Sequence, residues 1–473
     1  MFAYDMTKNG NDSLYHYLYN CIKKDITSRK ISADERLPSK RSLAQNLGVS
    51  VITVENAYAQ LLAEGYIYSL PKKGFFVSNI LKNTELGIAL HRKNPVHHRV
   101  RYKDVEPEKT ELKYTADFVS NGADLESFPF TTWAKITREV LCENQAELLQ
   151  VSPGAGILRL RKAIAKMLHE FRGIDVDASQ IVVGAGTDYL YGLLLQLLGL
   201  DKCYAVEDPG YGKISRLYAK MGVDYRFIPV GNGEFLDALE KSDANVVHLS
   251  PSHHFPTGQV MPVADRYRLL GWAAASSERF IIEDDYDSEF RMTGRPIPAL
   301  QNIDVMEKVI YLNTFSKTMT STIRLSYMVL PRLLMDKFND EFSFYSCTVS
   351  NLDQYVMAKF MEEGYYESHI NRMRNLYRGK RDILLKAIQN SPLSKYATVL
   401  EENAGLHFIL QVQTKLSDEE FCKRARLRGV NIRALSEYYF ESTPSEHKFV
   451  INYSSVEKKK MQKAVQVLAS VCE

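Results

Sequence analysis

The sequence predicts an α/β chain with a small helical unit and a two-stranded wing at its front. Three observations carry this. At 473 residues the chain is too long for one ordinary domain. Residues 13–77 hold short amphipathic helical patterns that end in an alternating hairpin pattern. Beyond about residue 115, apolar strand-like runs repeatedly end in polar residues and lead into helical stretches.

The first helix is predicted within "SLYHYLYNCIKKDITSRK", where Leu14, Leu18, Cys21, Ile22 and Ile26 share one face. The second, "LPSKRSLAQNLG" (37–48), enters at Pro38-Ser39 and stops at Gly48. The third, "SVITVENAYAQLLAEG" (50–65), takes Ser50 as its N-cap and closes at Gly65. "YIYSLPKKGFFV" (66–77) then alternates around "PKKG" as a hairpin.

Helix, short turn, helix and hairpin is the winged helix-turn-helix plan, whose second helix of the pair enters the major groove of DNA. "LPSKRSLAQNLGVS", "TVENAYAQLLAEG" and "KKGFFV" also resemble the GntR-type DNA-binding domain. That resemblance implies double-stranded promoter DNA as a partner. Ser39, Arg41, Ser50, Thr53 and Lys73 are the expected contacts, projecting from helix starts and the wing towards phosphates and base edges. Lys40 is read as a solvated charge. The sequence departs from the family pattern at Val51, where an arginine is common after "GVS".

The DNA-binding domain is expected to occupy 1–78. A polar tether follows at 79–114, with six basic residues and one acid between 81 and 103. It has no apolar periodicity, and its basic part adds DNA affinity independent of sequence. His91, His97 and His98 are read as solvated tether residues rather than metal ligands.

The six cysteines, at 21, 142, 203, 347, 422 and 472, include no C-x-x-C pair, so neither a disulfide framework nor a zinc site is expected. The longest apolar run, 189–200, is too short to cross a bilayer, and the N-terminus lacks an apolar leader core. A cytoplasmic location without membrane partners is expected. The net charge of +3 decides nothing about partners.

Within 115–473 the chemistry gathers at strand ends. "KVIYLNTFSK" (308–317) places Lys317 just past a β-branched run, on the sheet edge where ligands of α/β proteins bind. A desolvated lysine there can lose its proton and attack a carbonyl. "GAGTD" (184–188) offers unhindered amides and a hydroxyl at a helix start, which suits a phosphate. "IIEDDYD" ends another strand in carboxylates, and Arg324 with Thr314 or Ser316 adds phosphate donors.

"IVVGAGTD", "PSHHFPTG", "IIEDDYDSEF" and "TFSK" together resemble fold-type I pyridoxal 5′-phosphate (PLP) proteins, the class I aminotransferase group, over roughly 115–473. With the front unit, the whole chain resembles the MocR/GabR family of PLP-dependent transcriptional regulators. The resemblance implies a large mixed-sheet α/β lobe and a small C-terminal αβ lobe. It also implies that Lys317 holds PLP as an internal aldimine and Asp284 faces the pyridine nitrogen. Tyr286 reaches the phenolic oxygen, Tyr211 stacks on the ring, and Gly186, Thr187, Asp188, Thr314, Ser316 and Arg324 grip the phosphate. Of His253 and His254, His253 is the favoured cofactor partner.

Two departures bear on the ligand. Val151 precedes "SPGAG", where aminotransferases often carry a tyrosine reaching the other subunit. Glu437 fills a slot that is arginine in relatives holding a ligand carboxylate, leaving Lys213, Arg433 and Glu437 as the ligand-binding candidates. A small amine or amino acid with an additional cationic group fits that reversal. The expected function is a transcription factor that senses such an amine on PLP, in a homodimer with swapped DNA-binding heads. The alternatives are a working aminotransferase with an appended head, and a repressor whose large domain serves dimerisation alone.

Overall fold

The computed structural model describes residues 4–79 and 114–472 apart from residues 11, 80–113, 121, 123–126, 232, 292–296, 404, 442, 443 and 445. Residues 80–113, with most of the expected tether and its three histidines, thus lie outside the described residues. Contacts divide the chain into two units, Met1–Glu108 and Lys109–Glu473.

In the first unit, helices α1 (Leu14–Thr27), α2 (Lys40–Leu47) and α3 (Val51–Ala63) precede the antiparallel pair β1 (Ile67–Leu70) and β2 (Gly74–Val77). Local chemistry sets the boundaries. The Ser39 hydroxyl accepts from the Ser42 N–H at 3.2 Å, and the Ser50 hydroxyl accepts from the Thr53 N–H at 3.1 Å. Each cap satisfies an orphan donor, worth about 1 kcal/mol. Gly48 ends α2 at φ 66°, a left-handed conformation glycine adopts without strain. Leu18, Ile22, Leu43, Val54, Leu61, Ile67 and Val77 close over one another as a separate core.

The strands of the second unit are β3 (Ala116–Asp117), β4 (Ile181–Gly184), β5 (Cys203–Asp208), β6 (Asp224–Pro229), β7 (Val246–Leu249), β8 (Phe280–Asp284), β9 (Val309–Thr314), β10 (Ser326–Val329), β11 (Ala397–Leu400), β12 (His407–Val412), β13 (Val430–Asn431), β14 (Arg433–Ala434) and β15 (Lys448–Asn452). Seven form a mixed sheet in the order β4-β10-β9-β8-β7-β5-β6. Only β10 is antiparallel, pairing Ser326 with Gly184 on one side and Thr314 on the other. The carboxyl ends of β4, β5, β7, β8 and β9 therefore share one edge, and β10 begins there.

Strands β4, β7, β8 and β9 are buried at every position, as their largely apolar character requires for a sheet covered on both faces, with the polar residues of β8 and β9 at their carboxyl ends. A second, antiparallel sheet in the order β11-β12-β15-β14 forms the smaller lobe with the long helix Tyr365–Gln389 and the terminal helix Lys458–Cys472. β3 joins that lobe by pairing in parallel with β13, a link too short to register in the sequence pattern. Among the described residues no helix is long and apolar enough to cross a membrane.

Candidate functional site

A cavity of about 200 Å³ opens at the shared edge, lined by Thr187, Asp188, Tyr211, Lys213, Asp284, Tyr286, Thr314, Ser316, Lys317 and Arg324. The topology explains the gathering. Lys317 lies three residues beyond β9, while Arg324 lies just before β10 returns beside it, so both meet the turn after β4.

Alternation along β8 and its exit sorts the carboxylates. Glu283 accepts the Leu300 and Gln301 amides at 2.8 and 3.0 Å, and burial pushes its carboxyl up to about 7. Asp285 takes the buried Arg172 guanidinium at 2.8 Å and the Tyr311 hydroxyl at 2.5 Å. Asp287 lies 2.7 Å from His253 Nδ1. Asp284 alone of the four faces the cavity. Its Oδ2 accepts the Tyr191 hydroxyl at 2.5 Å, and its buried Oδ1 has no hydrogen-bond partner among the described residues.

Lys317 is half-buried, and desolvation pushes its amine down to about 8 against the opposing pull of Asp287. An appreciable fraction is then the neutral, nucleophilic amine near neutral pH. Covalent attachment of an aldehyde at Lys317 is expected to quicken about tenfold per pH unit below 8 and to level off above it, because only the unprotonated amine attacks. Stopped-flow absorbance across pH 6–10 checks the profile.

At the opposite end, the helix Thr187–Leu198 begins at Gly186, with φ 92° and no side-chain cap. Its first-turn amides are thus left for an anion. A Cβ on Gly186 would stand 2.4 Å from the Arg324 guanidinium, so glycine is required for the arginine to lie there. Thr314 Oγ1 receives the Ser316 N–H at 3.1 Å and the Ser326 hydroxyl at 2.8 Å. Asp188 contacts cations rather than an anion: Lys213 Nζ at 2.6 Å and Arg324 at 3.4 Å.

Tyr211, half-exposed at the mouth, stands edge-on to Phe255 at 6.1 Å. Phe255, Tyr191, Glu207 and Ser250 also line the cavity and were not expected from the sequence. Tyr191 is hidden in the apolar run "YLYGLLL", where nothing separates a site tyrosine from a core one. Burial raises the Glu207 carboxyl well above its ordinary range, with Asp284 adding to the effect.

Besides Gly186, which precedes the lining residue Thr187, three expected site residues lie outside this cavity. His253 stands behind Tyr286, its Nδ1 3.1 Å from the tyrosine hydroxyl and within reach of Asp287, because that buried carboxylate needs a partner. His407 stacks on it at 4.7 Å, and the ligating atoms of His253, Asp287 and His407 lie within 4.8 Å of one another. Arg433 and Glu437 pair with each other at 3.4 Å, and Glu437 also caps the Ala434 N–H. The neighbouring segment leans on the large lobe instead: the Phe440 N–H donates to Asp208 at 2.9 Å and its ring stacks on Phe227 at 4.5 Å. His254 is buried between Thr257 and Pro209, and desolvation pushes it down to about 3.

The residues present fit PLP. The partnerless Asp284 oxygen suits a protonated ring nitrogen, Lys317 suits the aldehyde carbon, and the uncapped helix start with Arg324 suits the phosphate.

In the first unit Arg41 and Lys73 are exposed, whereas the Ser39 and Ser50 hydroxyls are engaged as helix caps and Thr53 Oγ1 lies 2.8 Å from Ser50 Oγ. Lys40 stays partly solvated, with its amine bonded to Glu55 on α3 at 2.6 Å and lying over the Phe75 ring of the wing.

Residues 118–468 match the family described as aminotransferase class I and II, and residues 14–77 match the bacterial regulatory proteins of the gntR family. The uncharacterized HTH-type transcriptional regulator YdeL of Bacillus subtilis is 36% identical over 92% of this chain and 91% of its own length. The probable rhizopine catabolism regulatory protein MocR of Rhizobium meliloti is 30% identical over 98% of this chain and 95% of its own. Among solved structures, a kynurenine aminotransferase from Pyrococcus horikoshii shares the fold of the second unit, with a TM-score of 0.65 at 22% identity, covering 76% of this chain and 91% of that one. With a gntR-type head, an aminotransferase-like body and end-to-end kinship with MocR, the chain belongs to the MocR/GabR family of HTH-type transcriptional regulators.

Proposed function

We propose that this DNA-binding regulator carries PLP on Lys317 and responds to a small amine, which takes the place of the Lys317 amine on the cofactor. The single observation behind this reading is the cavity that gathers Lys317, Asp284, Tyr286 and Arg324 in one chain with a helix-turn-helix head. When bound, PLP supplies an electrophilic carbon to which an amine can be joined. The chain's residues do the rest. Lys317 attaches the cofactor, Asp284 keeps the ring nitrogen protonated, Tyr286 holds the phenolic oxygen, and Arg324 with Thr187, Thr314 and Ser316 holds the phosphate. Regulation requires that the amine-bound form favour one arrangement of the domains over another.

The DNA-binding domain is taken to end near 78 and the effector domain to begin near 115, with the basic stretch between them as tether. A homodimer in the cytoplasm with exchanged heads completes the reading. Supporting a dimer, Leu149, Val151 and Phe344 are 89%, 81% and 75% exposed on the second unit. They lie on adjoining segments, since the Asn351 side chain donates to the carbonyls of Glu147 and Gln150 and Gly154 packs on the Tyr345 carbonyl.

The same cavity keeps the lysine and aspartate that an aminotransferase uses, so turnover is the second reading. Incubating the protein with candidate amines, while following keto-acid formation and promoter occupancy together, separates the two. A change in occupancy with little turnover supports the sensor; fast turnover at constant occupancy supports the enzyme. For the head, Arg41→Ala is expected to weaken binding about uniformly across DNA sequences and to lower the salt dependence by about one phosphate contact. Arg41→Ala isotherms that match those of the unaltered chain at both 50 and 200 mM salt would remove Arg41 from the interface.

A further inference from the structure

The exposed face of α3 has a composition that the DNA-binding role does not itself require. Val54, Ala57, Tyr58 and Leu61 turn inward. At 100° per residue, Ile52, Asn56, Ala59 and Ala63 then form the centre of the outward stripe, flanked by Glu55 and Gln60, with Val51 beyond Glu55. Ile52 is 68% exposed and Val51 43%, although both sit in the first turn of a helix whose neighbours bury their apolar groups well. The helix "VITVENAYAQLLA" contains no lysine or arginine. Its one charge, Glu55, is held by Lys40 at 2.6 Å.

We infer that α3 reads two A·T pairs within two base-pair steps of each other, with Asn56 on the edge of an adenine and Ile52 against the methyl group of a thymine. The inference rests on the DNA-binding reading of the head. Four physical points lead to it. The first turns of a recognition helix are the part that meets base edges. Without arginine or lysine, α3 has no group able to donate twice to guanine N7 and O6, the commonest guanine contact. An asparagine amide offers one donor and one acceptor, which matches adenine N7 and N6 and mismatches guanine. The thymine methyl is the apolar feature the major groove presents to an exposed isoleucine. Residues 52 and 56 lie four residues apart, about 6 Å along the axis, against a base-pair rise of about 3.4 Å, so the two contacts fall about two base-pair steps apart or closer. Neutralisation of Glu55 by Lys40 lets the helix approach phosphates without repulsion. Backbone attraction is left to exposed cations such as Arg41 and Lys73.

The test uses the full-length chain to select duplexes from a random pool, followed by affinity measurements on the selected site with each thymine replaced in turn by uracil, which lacks only the methyl. Selected sites are expected to carry two A·T pairs within two base-pair steps of each other, with one uracil position binding about 4-fold more weakly. Asn56→Ala is expected to lose about 5- to 150-fold and to relax the preference for adenine at a single position. In Ile52→Ala the uracil penalty should vanish while other thymines behave as before. A G·C consensus under α3, uracil tolerated at every position, or an unchanged penalty in Ile52→Ala overturns the proposal. Retention of all duplexes alike leaves the head a DNA binder and removes its base reading; retention of none removes both. Ile52 and Asn56 are exposed, so neither variant disturbs the core.

Discussion

Replacement of Lys317 by alanine is expected to abolish covalent attachment of PLP altogether. The visible absorption of the protein–cofactor link should disappear, and hydride reduction followed by peptide mass spectrometry should find no adduct. The effect is complete rather than graded because the amine is half of the bond. A hydride-trapped adduct surviving on another lysine would reject the assignment. Lys213 is the informative control: it lines the same cavity, but its amine is tied to Asp188 at 2.6 Å and belongs to the phosphate end, so Lys213→Ala should leave the adduct on Lys317 intact.

Asp284→Ala is expected to have the second-largest effect. The carboxylate has one oxygen on the Tyr191 hydroxyl and a second, buried oxygen without a hydrogen-bond partner among the described residues. That second oxygen is available to a ring N–H as a charge-assisted bond. Hydrogen bonds to charged groups contribute about 1.5–3 kcal/mol, so loss of this one should weaken cofactor retention about 10- to 150-fold. The attachment at Lys317 should still form, since the amine is untouched, but the absorption maximum should shift as the ring nitrogen loses its proton. Equilibrium dialysis together with the spectrum measures both. Unchanged affinity with an unchanged spectrum would place the ring nitrogen elsewhere.

The two effects also show what the sequence made legible. Lys317 could be placed because a β-branched strand leads to it, and topology then does the rest. The cofactor aspartate could be chosen within "EDDYD" only through family resemblance, because four acids in five residues look alike on paper. Their roles separate only when β8 assigns alternate sides and Arg172, 113 residues upstream of Asp285, arrives to neutralise one of them. The helix starts of the first unit were legible for a local reason: a serine before a helix and a glycine after it act within four residues. The same serines are the expected DNA contacts, and as caps their hydroxyl oxygens accept the Ser42 and Thr53 amides.

His253, Arg433 and Glu437 illustrate the opposite limit. Each has the right chemistry at the right position in the chain, yet each is claimed by a partner the pattern cannot reveal: Asp287 for the histidine, and one another for the arginine and glutamate. Lys40 shows it again, because its link to Glu55 joins two helices across a turn.

The contacts of Asp188 have a consequence for selectivity. Two cations, Lys213 and Arg324, share that one anion, so these three groups leave the phosphate end of the cavity a single net positive charge. A phosphate group brings about two negative charges near neutral pH. With a phosphate seated there, that end of the cavity carries net negative charge, which disfavours a second anion beside it and favours a cation.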